Sequence, residues 1–216
     1  MSSYGGKDIG GNCRTDRTRA AYDRIARVYD LMEVWVERTL FRRWRRRVFE
    51  MAEGRILEVG VGTGKNIPYY PAGSSVFAID LSAKMMSYAR RRTRQAVVQP
   101  KLILMDAQHL AFRADTFDTI VGTFVYCSVP DPVAGFRELT RVCKPGGRIL
   151  LLEHVRSMGR IKGRVMDVLN PLIVKVMGVN INRDTVRNVR RAGLEVTVVD
   201  HLQGDVFKFI RAKRGA

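Results

Sequence analysis

A short apolar strand that ends in alternating glycines is the feature that most constrains how this chain can fold. Residues 55–64 read Arg-Ile-Leu-Glu-Val-Gly-Val-Gly-Thr-Gly. Glycines at the end of a strand let the backbone turn sharply and approach a ligand closely, because no Cβ obstructs the turn. The spacing differs from the Gly-x-Gly-x-x-Gly pattern of dinucleotide-binding proteins, so the loop alone is weak evidence for one ligand. It predicts a nucleotide-type pocket after the first strand.

Two more apolar strands end in aspartates. Val-Phe-Ala-Ile at residues 76–79 precedes Asp80, and Lys-Leu-Ile-Leu-Met at residues 101–105 precedes Asp106. A carboxylate at Asp80 can accept hydrogen bonds from both hydroxyls of a ribose. The carboxylate of Asp106 can accept a hydrogen bond from the exocyclic amine of adenine. Together the strand ends fit an adenosine group without phosphates.

This arrangement resembles the class I S-adenosylmethionine (SAM) dependent methyltransferases. In that family the glycine loop takes the methionine part, a strand-2 acid takes the ribose and a strand-3 aspartate takes the adenine. The Lys-Pro-Gly-Gly turn at residues 144–147, before another apolar strand, is also typical of it. The resemblance covers about residues 16–212 and implies SAM as the cofactor. It implies an α/β, Rossmann-like fold: a seven-stranded, mostly parallel sheet with a final antiparallel strand and N-terminal amphipathic helices.

The same resemblance assigns cofactor contacts around the strand ends. Amides in the first turn after the glycine loop face the cofactor, and the methionines early in the helix after Asp80 lie close to the adenine. The predicted cofactor-binding residues are Glu58, Gly60, Gly62, Gly64, Asn66, Asp80, Leu81, Met85, Asp106, Ala107 and Thr123.

The length and charge of the chain limit its organisation and its partners. At 216 residues it suffices for one buried α/β core. We expect residues 1–15 to be disordered and residues 16–216 to form one domain, with a helical cap over 16–53 and a lid over 157–192. The net charge of +17 predicts attraction to something anionic, whether nucleic acid, a membrane surface or acidic small molecules.

The cysteines and histidines do not form a recognisable metal site. Cys13, Cys127 and Cys143 are scattered and lack paired spacing, so we interpret them as reduced thiols and expect no metal. The polar N-terminus does not look like a secretory signal, and no apolar run reaches the roughly 20 residues of a membrane span. We therefore expect a cytoplasmic protein that meets a bilayer, if at all, from one face.

Two N-terminal segments carry helical patterns. The first places Tyr22 and Tyr29 on one face, either as packed aromatics or as phenols presented to a substrate over the cofactor. The second, residues 31–52, combines an apolar side containing two tryptophans with an arginine-rich remainder at Arg42, Arg43 and 45–47. It is either an interfacial membrane helix or a packed helix with a solvated basic face.

The segments after the fourth and fifth strands concern the methyl acceptor. The chain lacks the Asn/Asp-Pro-Pro-aromatic motif of base-amine methyltransferases at residues 123–132, where Tyr126 is a candidate substrate contact. His154 leaves a central strand at its carboxyl end and is the first candidate near the acceptor, with a structural role as the alternative. Arg156 and Arg183, within the basic and apolar lid region, are candidates for an anionic headgroup.

Within the superfamily, residues 22–30, 80–82 and 106–112 and the Glu153-His154 pair resemble the ubiquinone/menaquinone biosynthesis methyltransferases. More narrowly they resemble the bacterial, Rhodobacter-type phospholipid N-methyltransferases. This implies N-methylation of phosphatidylethanolamine at the inner surface of the cytoplasmic membrane by a monomer, with Tyr22, Tyr29 and His154 as catalytic candidates. A quinone-precursor C-methyltransferase is the alternative. An RNA-directed protein or a noncatalytic SAM-binding protein fits less well, because no aromatic-interleaved basic platform is present.

Overall fold

Seven strands form a single sheet in the computed structural model, which describes residues 14–26 and 40–215. In chain order they are β1 Arg55–Val59, β2 Ser75–Asp80, β3 Lys101–Leu104, β4 Phe117–Thr123, β5 Cys143–His154, β6 Leu194–Gln203 and β7 Phe207–Arg214. The order across the sheet is β3-β2-β1-β4-β5-β7-β6. Only β7 runs antiparallel to its neighbours β5 and β6. The predicted mostly parallel sheet with an antiparallel final strand is confirmed.

Six helices accompany the sheet in the described residues. They are α1 (residues 14–26), α2 Arg42–Phe49, α3 Ala83–Thr93, α4 Pro132–Val142, α5 Arg160–Met177 and α6 Thr185–Arg191. Ser82 caps the N-terminus of α3, since its Oγ accepts the Met85 amide at 3.0 Å. The expected disordered segment 1–15 overlaps α1, which already includes residues 14 and 15. Residues 27–39, including most of the first half of the predicted 31–52 helix, lie outside the described residues.

Apolar side chains cover both faces of the sheet. One cluster joins alternate strand residues to α4 and α6 through Phe136, Leu139 and Val189. The other joins the opposite face to α2 and α3 through side chains such as Val48 and Met86. Alternation along each strand directs successive residues to opposite faces, so both faces of a central strand are apolar. The strand order reverses between β1 and β4, where an open α/β sheet forms a ligand crevice at its carboxyl edge.

Two elements differ from what the sequence predicts. The run from residue 65 to residue 70, followed by Pro71 and Gly73, predicts the start of a short helix, and the structure forms a 3-10 turn at Ile67–Tyr69. Asn170-Pro171 predicts a break in the apolar stretch of the lid, whereas α5 continues through it. Proline inside a helix lacks one donor, but the amide oxygen of neighbouring Asn170 accepts the Ile181 amide at 2.9 Å and fixes this turn against the following loop. α5 is therefore one continuous helix.

A buried carboxylate at the end of β5 organises the loop after β4. Glu153 is fully buried, and its Oε1 accepts the amides of Val125 and Tyr126, each at 3.1 Å. Its Oε2 has no hydrogen-bond partner among the described residues. Burial raises the pKa of Glu153 from its usual 4.5 to about 7, against the lowering effect of the two amides. The carboxyl group thus fixes the loop while it resists ionisation.

We predict that Glu153→Gln removes a pH dependence of stability. Between pH 4.5 and about 7 the unfolded carboxyl is ionised while the folded one keeps its proton, so this group makes unfolding easier as the pH rises. The glutamine variant should gain stability relative to the parent by about 1 kcal/mol per pH unit across that window. Urea unfolding at several pH values measures it. Glu195→Gln, an exposed carboxylate on β6, is the control, and parallel pH curves for the parent and the Glu153 variant would contradict the assignment.

Candidate active site

A cleft opens at the carboxyl edge of the sheet, where the strand order reverses. Its empty space, counted together with the open mouth, is about 850 Å³. The glycine loop after β1, the ends of β2 and β4 and the segment after β3 form its walls, and α1 lies across it with Thr18 and Tyr22. The predicted residues that line it are Tyr22, Gly60, Gly62, Asp80, Leu81, Met85, Asp106, Ala107 and Thr123.

The three glycines of the loop have different surroundings. Gly60, Gly62 and Gly64 all have positive φ, which favours glycine. A Cβ on Gly60 would lie 2.4 Å from a Val125 methyl carbon, whereas a Cβ on Gly62 would meet no protein atom within 4 Å. Gly62 thus faces open cleft, where a ligand can approach the backbone. Gly64 does not line the cleft, and its missing side chain lets α3 pack closely at Ala89.

The carboxylate of Asp80 is fixed by backbone amides. Its Oδ2 accepts the Gly62 amide at 2.7 Å, and its Oδ1 accepts the Ser82 amide at 2.8 Å. Burial raises the pKa of Asp80, while these amides oppose the change. Asp23 of α1 accepts the Ser82 hydroxyl at 2.5 Å, which ties α1 to this corner. Asp80 thereby joins the glycine loop to the end of β2.

Asp106 occupies the other end of the cleft, after β3. Its Oδ1 accepts the Gln108 amide at 2.9 Å, and its Oδ2 accepts the Thr15 hydroxyl of α1 at 3.4 Å. The side-chain amide of Gln108 also donates to both carboxylate oxygens at 3.0 Å. Ile79, Leu81, Met85 and Met105 provide apolar surface between the two aspartates. A planar ring with a hydrogen-bond donor on its edge fits between them.

A buried guanidinium lies on the opposite side, at the glycine loop. Arg45 of α2 lines the cleft and is 5% exposed. Its Nη1 donates to Asn66 Oδ1 at 2.9 Å and to Thr123 Oγ1 at 2.7 Å. Its guanidinium carbon lies 5.3 Å from the centre of the Phe124 ring. Arg45 therefore supplies a cation where the methionine part of the cofactor is expected, and that part carries a carboxylate.

Glu58 and Asn66 support this guanidinium from behind the cleft wall. Asn66 Nδ2 donates to Glu58 Oε1 at 2.6 Å, and the hydroxyl of Tyr70 bonds to the other carboxylate oxygen. Both predicted contacts are fully or nearly fully buried and do not line the cleft. Burial raises the pKa of Glu58, and Asn66, Tyr70 and Arg45 lower it. In this structure both residues therefore lie behind the cleft wall, where they position Arg45 and Thr123.

These groups match the parts of SAM one by one. Asp80 and Asp106 supply acceptors for ribose and adenine, the apolar surface between them suits a ring, and Gly62 and Arg45 suit the charged methionine end. The geometry thus fits the cofactor that the sequence pattern implies.

Of the predicted acceptor residues, the structure brings only Tyr22 to the cleft. Tyr29 lies outside the described residues. Tyr126, in contrast to the prediction, is 1% exposed and stacks on Phe136 with ring centres 3.8 Å apart. His154 also does not line the cleft. Its ring packs edge-on against Phe207 at 5.2 Å, and Phe207 contacts Phe124 of the cleft wall, so one aromatic layer separates the imidazole from the cleft.

The two predicted headgroup arginines differ in position. Arg156 is bonded to Asp167 of α5, with a nearest distance of 2.7 Å, and does not line the cleft. Arg183 Nη2 donates to the carbonyl of Val129, a cleft residue, at 3.0 Å. Its Nε is buried and has no partner among the described residues. Arg183 is therefore the nearer of the two to the cleft.

Sequence reasoning missed Arg45 and Thr18 as cleft residues. Arg45 was grouped with four other arginines of the same helix, which are exposed. The signal that separates it is helical spacing, because residue 45 shares a face with apolar residues 41, 44 and 48. No comparable pattern marks Thr18. Across the described ranges, no three His, Cys, Asp or Glu side chains come together as candidate metal ligands.

Comparison with known proteins supports this assignment. A methyltransferase domain family matches residues 57–151. A phosphatidylethanolamine N-methyltransferase of Cereibacter sphaeroides is 41% identical over 103 residues, covering 47% of this chain and 51% of that protein. A demethylmenaquinone methyltransferase of Renibacterium salmoninarum is 33% identical, covering 65% and 60%. The ubiquinone/menaquinone biosynthesis C-methyltransferase UbiE of Cellvibrio japonicus is 30% identical, covering 79% and 73%. The chain thus spans about half the length of the first relative and three fifths of the second.

Solved structures share the fold. A SAM-dependent methyltransferase of Thermotoga maritima, described as a possible histamine N-methyltransferase, superposes with a TM-score of 0.69 at 21% identity, covering 91% of this chain and 99% of that one. Geranyl diphosphate C-methyltransferase of Streptomyces coelicolor, solved with S-adenosyl-L-homocysteine, gives 0.63 at 16%, covering 80% and 78%. Together with the cleft, these likenesses show that the chain belongs to the class I SAM-dependent methyltransferases and is related to both the phosphatidylethanolamine N-methyltransferases and the UbiE C-methyltransferases.

Proposed function

We propose that this methyltransferase N-methylates phosphatidylethanolamine, in one or more rounds, at a membrane surface. Among the relatives described above, the phosphatidylethanolamine enzyme has the highest identity, 41%, over a shared segment of 103 residues. The net charge of +17 suits an acceptor embedded in an anionic surface. The observation that carries the proposal is that a phenol, Tyr22, and an aromatic ring, Phe124, both line the cleft.

Tyr22 and Phe124 suit an amine that gains positive charge. Bound SAM supplies a methyl group on a positively charged sulfur, which leaves with the bonding electron pair as the nitrogen–carbon bond forms. The protein orients the amine and excludes water. An ethanolamine ammonium must first lose a proton, and the Tyr22 hydroxyl can accept a hydrogen bond from it. The faces of both rings then favour the methylated cation.

His154 and the lid arginines have secondary roles in this proposal, in proton transfer and in binding the lipid phosphate. Burial lowers the pKa of His154, so its imidazole is neutral near pH 7 but a weaker base than an exposed imidazole. It can serve the acceptor only through water or a movement of the Phe207 layer, and we assign it this secondary role beside Tyr22 and Tyr29. Arg183, at the Val129 carbonyl, is the better placed of the two arginines to hold a lipid phosphate, because Asp167 already engages Arg156.

A quinone-precursor C-methyltransferase is the second candidate. The UbiE relative aligns with 79% of this chain, against 47% for the phosphatidylethanolamine enzyme. A ring-carbon acceptor would use the same cofactor site, but it needs a base for a phenol and gains less from a basic surface. Its acceptor is planar and apolar, which the aromatic wall of the cleft also accommodates.

One assay separates the candidates. Labelled SAM is supplied with mixed liposomes of phosphatidylethanolamine and an anionic lipid, with demethylmenaquinol and bulk RNA in parallel, and products are separated by headgroup. Label in mono-, di- or trimethylated phosphatidylethanolamine supports the proposal. Label only in the quinol transfers the function to the second candidate, and label only in RNA would overturn both.

The first prediction from the site concerns cofactor affinity. Asp80→Asn should weaken S-adenosyl-homocysteine binding by about 10- to 100-fold, because a charge-assisted acceptor for the ribose hydroxyls becomes a neutral amide. Isothermal titration calorimetry gives the dissociation constant. Asp200→Asn, a carboxylate on β6 that pairs with Arg47 away from the cleft, should bind as the parent does. Equal affinity of the Asp80 variant and the parent would exclude the ribose role.

The second prediction concerns the acceptor. Tyr22→Phe should retain S-adenosyl-homocysteine binding within about threefold and lower kcat on phosphatidylethanolamine by about 10- to 100-fold, since the ring remains while the hydroxyl is lost. The matched control is Tyr88→Phe, whose ring lies on α3 beside Arg91. If Tyr22→Phe combined with Tyr29→Phe and His154→Ala keeps full activity, the proposed proton pathway is wrong.

A further inference from the structure

An apolar stripe runs along the outer surface of α5. Ile161, Val165, Val168, Leu172 and Val176 are all exposed, at 81%, 50%, 77%, 61% and 60%. Their spacing of three and four residues places them on one side of the helix. Together with exposed Leu169 they cover an arc of about 100° around the helix axis. No described α5 side chain belongs to either core cluster. A continuous exposed apolar patch of this kind marks an interaction surface.

The opposite side of α5 faces the protein. Gly163 is buried, and Met166 and Asn170 are half-buried. The sulfur of Met166 accepts the Ser157 amide at 3.3 Å, and Asn170 bonds to Ile181. The apolar stripe therefore faces away from the protein body, because the helix is held by its other side.

Basic side chains border the stripe on both sides. At 100° per residue, Arg164 and Lys175 fall on one edge, with Arg160 beyond them, and Lys162 falls on the other edge. All four are exposed. The only acidic residue of α5, Asp167, is paired with Arg156. An apolar stripe between cations is the pattern of a helix lying in the interface of an anionic bilayer.

In the described part of the 31–52 segment, for which a membrane helix and a packed helix were both considered, the apolar side faces the protein core. Phe41, Trp44 and Val48 of the α2 region are buried in the core, and Trp44 packs on Phe207 with ring centres 5.5 Å apart. Only basic side chains of α2 remain outside, together with Glu50 after it. Among the helices in the described ranges, none is long and apolar enough to span a bilayer.

We propose that the α5 stripe docks this protein on an anionic phospholipid bilayer, with Ile161, Val168 and Leu172 inserted and Arg160, Lys162, Arg164 and Lys175 at the headgroups. The basic residues beside the stripe favour an anionic bilayer over a second copy of the chain as its partner. Two α5 helices packed stripe to stripe would bring eight cations together on molecules that each carry +17. An anionic surface satisfies both the apolar stripe and its borders.

A bilayer docked on α5 would lie against a helix that is connected to the cleft. The loop after α5 bonds to the segment after β4, where the Asn180 amide donates to the carbonyl of Cys127 at 2.9 Å, next to the cleft residue Ser128. Gly178, which ends α5 at φ +73°, lies so close to α1 that a Cβ there would be 3.0 Å from Ala21 Cβ. The proposed acceptor resides in such a bilayer, but the docking surface is argued from α5 alone and holds whichever acceptor is methylated.

A pair of valine variants tests the docking. Val168→Asp places a charge in the stripe, and Val97→Asp places the same charge at an equally exposed valine elsewhere, at 92% exposure. In flotation with vesicles of phosphatidylglycerol and phosphatidylcholine, Val168→Asp should lower the partition coefficient by at least about tenfold, and Val97→Asp should leave it unchanged. Raising the salt or omitting phosphatidylglycerol should weaken binding by the parent.

Equal partition of the two variants, or no vesicle binding by the parent, would overturn the proposal. So would a parent dimer in light scattering that Val168→Asp dissociates, since the stripe would then be a contact between copies. Circular dichroism confirms that both variants fold. An assay of methyl transfer to detergent-dispersed phosphatidylethanolamine distinguishes the two proposals. Val168→Asp should keep this activity, because the assay needs no bilayer. If the parent lacks the activity, the proposed acceptor is refuted, while the vesicle result still stands.

Discussion

The cleft depends on a cation that is removed from water and satisfied by polar groups of the chain. Arg45 lies at the base of the glycine loop, bonded to Asn66 and Thr123, and Asn66 in turn bonds to Glu58. A buried guanidinium is costly unless its donors are paired, so these side chains fix one another. They also connect α2, β1, the turn at residues 65–66 and the end of β4. The shape of the methionine end of the site thus rests on one buried network.

The loop after β4, which we propose to face the methyl acceptor, is organised by a second buried acid. Glu153 accepts the amides of Val125 and Tyr126 at the end of β5, and Val125 in turn fills the space that a side chain on Gly60 would need. The glycine loop and the loop after β4 are therefore in direct contact. A change in one is transmitted to the other by van der Waals packing, which is stiff in a well-packed interior.

The sequence predicted the residues that line the cleft at the ends of β1, β2 and β3. Glycines after β1 and aspartates after β2 and β3 mark backbone turns and strand ends. These features depend on neighbouring residues in the sequence, so they can be predicted from it. The same reasoning placed Glu58 and Asn66 in the cleft, and failed because the direction of a buried polar side chain depends on partners distant in sequence. Arg45 was missed for this reason. Tyr126 was misplaced since a ring after a strand can turn either to the cleft or, as here, onto Phe136.

The missing side chain at Gly178 couples the position of α5 to that of α1. It allows the end of α5 to approach α1 at Ala21, one residue from the phenol that enters the cleft. Thr15, Thr18 and Asp23 also bond α1 to the loops around the cleft. Since close packing at Gly178 leaves no space between the two helices, the end of α5 cannot move toward the cleft without displacing the helix that lies across it.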